Sequence, residues 1–216
     1  MSGAWEPKPV IGRSGKPIQR GGDFYLYLIG DRSFMLNSEG IGLMRRAAVY
    51  GTPLESAQKA AAYFSPESVE RYTRRMRENL ERSIAELVVQ GINFRPLTKG
   101  AAGILAMADL VRDALPAGLM RKMETALHMM TPAELKEFYR KERHLLERYY
   151  ENSHAVKSPV VLTSEVANAE SQTAANATLL YESMLDVISR RTAGKEIMRD
   201  ARTAANLPIF GQERFL

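Results

Sequence analysis

Residues 24–44, FYLYLIGDRSFMLNSEGIGLM, constrain this chain more than any other stretch, because a strand period gives way to a helix period within a few residues. Residues 24–29 are dense in aromatic and branched side chains, the composition of a strand packed on one side. Gly30-Asp31-Arg32 supplies turn chemistry, since glycine tolerates a positive φ and aspartate bonds its own backbone. Residues 33–36 then return antiparallel, and Asn37-Ser38-Glu39 offers capping side chains ahead of an apolar run. A β-hairpin running straight into a helix is the expectation. Alternation puts Phe24, Leu26 and Leu28 on one face and Tyr25, Tyr27 and Ile29 on the other. Sorting the faces by polarity sends the first set inward with Phe34 and Leu36, against Val69, Met76 and Leu80, and leaves Tyr25 and Tyr27 toward solvent or a partner.

Upstream, residues 1–22 carry Pro7, Pro9, Pro17 and five glycines with little apolar periodicity, so they read as an extended arm with a short strand near Val10-Ile11. Gly12-Arg13-Ser14-Gly15-Lys16 lacks both the spacing and the strand-to-helix setting of a phosphate loop. After the hairpin, a helix over 41–50 stops at Gly51. Thr52-Pro53-Leu54-Glu55 places threonine at the N-cap, proline at N1 and glutamate at N3 of a second helix reaching 64. Ser65-Pro66-Glu67 opens a third, whose stripe Val69, Tyr72, Met76, Leu80, Ile84 and Leu87 recurs every three or four residues until Gly91.

The second half is helical too. Helices are expected over 104–115 and 119–130, then one opened by the capping box Thr131-Pro132-Ala133-Glu134, with Leu135, Phe138, Leu145 and Tyr149 inward. A loop over 152–159 and a short extended piece at 160–162 precede a long helix from 163 to 191. Gly194 breaks it, a last helix covers 195–205, and an apolar tail follows. The seam Val166, Thr173, Leu180 and Val187, with Ala169, Asn176 and Ser183 between, favours close packing against the rest of the domain, or a weak partner helix, over a stable coiled coil. Met107, Met120, Met123, Met129 and Met130 suit an adaptable core, and the same softness suits a peptide groove. The expected fold class is mainly α, with an N-terminal β-hairpin plus three helices forming a winged-helix-like module, followed by a helical bundle-like C-terminal half. The expected divisions are an arm at 1–22, the module at 23–97 and a helical domain at 98–216.

The 216 residues suffice for one good core or a small domain with a helical extension. With 45% hydrophobic and 25% charged residues the chain is globular in composition. Having no cysteine, it has no disulfide, thiol nucleophile or thiolate zinc site. No apolar run nears the ~20 residues that cross a bilayer. Residues 1–8 lack the apolar stretch of a signal peptide, so a cytoplasmic protein with no membrane partner is expected. The net charge of +5 raises nucleic acid as a partner. Its distribution is even: Arg71, Arg74, Arg75, Arg77 and Arg82 are matched by Glu67, Glu70, Glu78, Glu81 and Glu86. The i,i+4 pairs Glu67–Arg71, Glu70–Arg74 and Glu78–Arg82 have the acid first, which predicts a self-paired, solvated helix face.

Leu36-Asn37 closes the hairpin, Leu43-Met44 follow one helix turn later, and Gly51-Thr52-Pro53-Leu54-Glu55 starts the next helix. With Val69 and the ending Leu87-Val88-Val89-Gln90-Gly91-Ile92, this order resembles the PqqD-like family of peptide chaperones. These are the RiPP recognition elements of enzymes that modify ribosomal peptides. The resemblance covers residues 8–97. The last helix is longer than usual there, and the helical half has no counterpart in the small stand-alone members. It implies a partner peptide added as a strand beside Ser33, Phe34, Met35 and Leu36, wedged against the helix at 67–90; an exposed sheet edge suits this. With Tyr25, Tyr27, Arg71, Arg74 and Arg75, those four residues make the candidate partner-binding set.

Catalytic chemistry is sparse. His128, His144 and His154 all fall in the helical half, and Glu151-Asn152-Ser153-His154 has the spacing of a di-iron carboxylate motif. No second such motif accompanies it, so His154 reads as a lone histidine at a loop edge, and no metal or cofactor is expected. Tyr139, Tyr149, Tyr150, Glu142 and Glu147 could line a cleft, but helical spacing explains them as core edge and surface. No GxSxG, HExxH or dinucleotide glycine fingerprint occurs, no catalytic residue is named, and an enzyme is the minority reading. The reading is a non-enzymatic adaptor gripping a peptide or protein, as a subunit of a larger assembly or oligomer. One alternative is a winged-helix nucleic-acid-binding protein using Arg45, Arg46, Arg71, Arg74 and Arg75. The other is a structural component of a phage particle or secretion machine, suggested by the arm, the Ala/Asn-rich helix and the apolar tail.

Overall fold

A computed structural model describes residues 5–91, 96–156 and 163–207. The protein is mainly α-helical, with a small antiparallel sheet near its N-terminus. The sheet holds β1 (Lys8–Pro9), β2 (Tyr25–Ile29) and β3 (Arg32–Leu36) in that order. The helices are α1 (Ser38–Val49), α2 (Leu54–Ala61), α3 (Pro66–Gln90), α4 (Lys99–Leu110), α5 (Leu119–Met129), α6 (Pro132–Lys141), α7 (Arg143–Val156) and α8 (Thr163–Ala204). Among the described residues no helix is long and apolar enough to cross a membrane.

The capping chemistry explains most boundaries. Asn37 Oδ1 accepts the Gly40 N–H at 2.9 Å and fixes the start of α1. Ser65 Oγ accepts from the Ser68 N–H ahead of α3. The Thr131–Glu134 capping box is complete, with each side chain bonded to the other's backbone. The Thr52 cap is not made: no side chain caps α2, whose N-cap is Pro53. Thr52 is instead buried, its N–H donating to Ala47 O at 2.9 Å.

Other departures occur inside the helices. The expected single helix after Thr131 is two, α6 and α7, turned at Glu142, whose φ of −97° and ψ of 19° leave the helical range. α7 runs on to Val156, so 152–156 is helix and not loop, and the piece expected at 160–162 lies outside the described residues. Gly194 does not break α8, which is continuous for 42 residues. A mid-helix glycine costs only about 1 kcal/mol relative to alanine, which the flanking burial of Ala193 and Ile197 outweighs. The helix ends at Ala204 and is closed by Asn206, whose φ of 52° is the left-handed C-cap conformation, with the Leu207 N–H returning to Arg202 O. Beyond Leu207 the expected tail lies outside the described residues.

The chain divides into two compact units, one of residues 1–75 with 191–216 and one of residues 76–190. The division falls within α3 and α8. The core of the first unit gathers Ile29, Leu36, Leu43, Met44, Ala57 and Phe64, all fully buried. The second has its own core of Ile84, Ile104, Met123, Phe138, Tyr149, Leu180 and Met184. Met107, Met120, Met129 and Met130 pack around it as the adaptable filling expected of them. The seam of α8 also turns inward, with Thr173 and Leu180 fully buried.

Candidate functional site

The hairpin forms as expected, but with its faces exchanged. Ile29 pairs with Arg32 across a two-residue turn in which Gly30 has a φ of 64°. A Cβ at Gly30 would also meet the Leu54 side chain at 2.7 Å, so glycine is required there twice over. Gln58 of α2 clamps the turn, donating to Ile29 O at 2.9 Å and to Asp31 Oδ1 at 3.1 Å. The register then sets Tyr27 opposite Phe34 and Tyr25 opposite Leu36. Tyr25, Tyr27 and Ile29 therefore share the inner face with Phe34 and Leu36, while Leu26 and Leu28 share the outer face with Met35 and Ser33. Tyr27 is 8% exposed and Leu28 39%, the reverse of the expectation. Polarity misleads here because a tyrosine ring buries like phenylalanine while its hydroxyl needs only one partner or water. Leu80 belongs to the second unit's core.

The candidate partner-binding residues therefore fall into distinct groups. Tyr27 and Leu36 are core positions whose side chains are withheld from a partner. Tyr25, Phe34 and Met35 are half-buried, and Ser33 is exposed. Leu26 directs its backbone away from β3: its N–H donates to Ile18 O and its carbonyl accepts from Val10, both at 2.9 Å. Backbone groups alternate along a strand, so Tyr25, Tyr27 and Ile29 direct theirs to β3, toward Leu36, Phe34 and Arg32. Ser33 and Met35 consequently turn their N–H and C=O groups to the open side of β3, the last strand of the sheet.

Arg71, Arg74 and Arg75 lie exposed on α3. The self-paired face expected there is not formed: among the described residues none of Glu67–Arg71, Glu70–Arg74 and Glu78–Arg82 comes within ion-pair distance. An exposed pair gains little in water against the rotamer freedom of two long side chains. Arg75 instead lies over the Tyr72 ring, 4.8 Å from its centroid. Arg77 pairs with Glu81 and with Glu182 in the second unit.

Sequence periodicity gave no sign of a polar knot around Tyr72. Its hydroxyl donates to Asp200 Oδ2 at 2.7 Å across 128 residues, and its ring meets Tyr63 edge-on. Burial, then the bond to Asp200, pushes the Tyr72 phenol up to about 12. That hydrogen bond, helped by Arg199 and Arg75, holds the Asp200 carboxyl below its ordinary value. The depressed carboxyl contributes stability above the ordinary carboxylate range and loses it as pH falls through its folded value. The raised phenol contributes fully below its unfolded value of 10.0 and loses its contribution as pH rises through about 12. Tyr72→Phe is expected to lower stability by about 1–3 kcal/mol at neutral pH and to flatten both limbs of the profile. Thermal melts across pH check this, an unchanged profile excluding the coupling.

In the second unit the tyrosines are structural. Tyr149 is fully buried and donates to Ile104 O at 3.0 Å. Burial raises the Tyr139, Tyr149 and Tyr150 phenols, so none is a base near neutrality. Glu142 accepts from Ser183 and Glu147 pairs with Arg143. His144 and His154 are exposed on α7, so His154 lies on a helix and not at a loop edge. Among the described residues no three side chains of metal-ligating type gather to hold an ion. Compared with protein-family models, with curated proteins and with solved structures, the chain matches none.

Proposed function

We propose that this protein is a non-enzymatic adaptor whose N-terminal unit receives an extended peptide or protein segment as a strand along β3. The observation that carries the reading is the open side of β3, where among the described residues Ser33 and Met35 present backbone donors and acceptors that no strand of the sheet uses, beside an apolar outer face of Leu26, Leu28 and Met35. Strand addition draws affinity from those backbone groups, and side chains at alternate positions give selectivity. The resemblance to PqqD-like peptide chaperones points the same way. Ser33→Pro deletes an outward N–H while sparing the ladder to β2, a position where an edge strand tolerates proline. The variant is expected to melt within about 1 kcal/mol of the parent and to lose the partner retrieved by tagged full-length protein from its own cell. Amide exchange on that complex is expected to protect Ser33 and Met35. Absence of protection over 33–36 in the complex overturns the proposal.

The unpaired arginines of α3 favour a second reading, nucleic-acid binding. Glu67, Glu70 and Glu78 stand among them, which leaves the face without a net field to hold phosphates. Affinity falling steeply with salt would establish that reading over strand addition.

A further inference from the structure

The edge of β2 opposite β3 is closed by the chain's own N-terminal segment. Lys8 and Pro9 pair with Leu28 and Tyr27 as β1. The chain then loops out and returns, so that Ile18 bonds both Val10 and Leu26, and Gln19 bridges Tyr25. Residues 8–20 are thus a ribbon folded along β2, its strand at Lys8–Pro9 where the sequence placed a short strand near Val10-Ile11 in an extended arm. Pro9 sits opposite Tyr27, whose backbone groups face β3, so the missing proline N–H is not called upon. One anchor lies outside the sheet: the Trp5 indole N–H donates to the Thr52 carbonyl at 2.6 Å, across 47 residues.

This ribbon is held far more lightly than the hairpin that it borders. Its strand is two residues long, residues 13–17 are exposed, and Gly15, Gly21 and Gly22 all have positive φ with nothing within 4 Å of the Cβ position. The ribbon contributes only half-buried apolar side chains, those of Trp5, Pro7, Val10 and Ile18. The β2–β3 pair, in contrast, is fixed by fully buried Ile29 and Leu36 and by Gln58 across the turn. A segment with few buried apolar contacts and exposed backbone bonds opens at lower free energy than the core it rests on. We propose that residues 5–20 form a strap, pinned by Trp5 on Thr52, that opens as a unit and bares the backbone of Leu26 and Leu28 while the β2–β3 hairpin stays folded. The sheet then has a second strand-accepting edge, closed by its own chain in the resting state. This holds whether or not β3 receives a partner.

Backbone alternation supplies the test, because neighbouring amides of one strand report on different edges. Leu26 and Leu28 bond toward the strap, and Tyr27 and Ile29 bond toward β3. In residue-resolved hydrogen exchange on the full chain, Leu26 and Leu28 are expected to exchange at least about tenfold faster than Tyr27 and Ile29. Trp5→Phe removes only the indole donor and its bond. It is expected to accelerate Leu26 and Leu28 by a further factor of about three to ten, leaving Tyr27 and Ile29 unchanged. Trp5 is also the only tryptophan, so its emission should shift below the main denaturant transition of the unaltered chain. Equal rates for the two amide sets in the unaltered chain, or equal acceleration of both in the variant, would overturn the strap. So would a Trp5 signal that changes only with global unfolding.

Discussion

Phe64→Ala is expected to remove about 3–5 kcal/mol from the N-terminal unit, one of the largest single losses available to it. Phe64 closes the 3-10 turn Ala62–Phe64 after α2, a turn that packs on β3, and is fully buried. It also faces the one backbone position in α1 that admits no side chain. A Cβ at Gly40 would stand 2.7 Å from both Cβ and Cγ of Phe64. Gly40→Ala should therefore cost about 1–3 kcal/mol by overpacking, although alanine is the better helix former by about 1 kcal/mol. The double variant separates the two effects. With the ring gone, the clash with Cγ is lifted and only the Cβ of residue 64 still crowds position 40, so Gly40→Ala should cost less in the Phe64→Ala background than it does alone. Exchange of the Tyr27 and Ile29 amides across a urea series measures the N-terminal unit directly. Additive losses would mean that α1 and the 3-10 turn do not share this contact.

The same pair of residues marks where sequence reading reaches its limit. Local chemistry was legible: the Asn37, Ser65 and Thr131 caps and the glycine turn at 30 each follow from one side chain acting on backbone a few residues away. Helical periodicity likewise found the inward stripe of Tyr72, Leu80 and Ile84. Contacts between distant segments carry no such signature. Nothing in Thr-Pro-Leu-Glu reveals that Thr52 is buried, that its carbonyl accepts from the Trp5 indole, or that its side chain leaves α2 uncapped. Gly40 and Gly194 look alike in sequence, yet one abuts a phenyl ring and the other sits in an unbroken helix. The α3 arginines failed for a different reason: i,i+4 spacing permits an ion pair, but in water the gain is too small to enforce it. At the candidate site, sequence located the hairpin and its edge strand. It misassigned the faces, since a period of two fixes which residues travel together but not which set goes inside.

That assignment has the clearest experimental consequence. Tyr27→Ala is expected to cost about 3–5 kcal/mol, since it empties an inner-face position bounded by Phe34 across the strand pair. Leu28→Ala, one residue away, should cost no more than about 1 kcal/mol, because Leu28 on the outer face is already 39% exposed. Binding should follow the opposite order. If a partner strand lies along β3, Met35 borders it directly on the outer face and Leu28 lies one strand further in, so Met35→Ala should weaken the complex about tenfold or more and Leu28→Ala less, while melting moves far less than in Tyr27→Ala. Tyr27→Ala should affect binding only in proportion to the fraction unfolded. Denaturant titrations beside affinity measurements on Tyr27→Ala, Leu28→Ala and Met35→Ala decide the matter. Loss of stability at Leu28 with none at Tyr27 would return the tyrosines to the surface. Normal binding by both outer-face variants would instead move the partner off this sheet altogether.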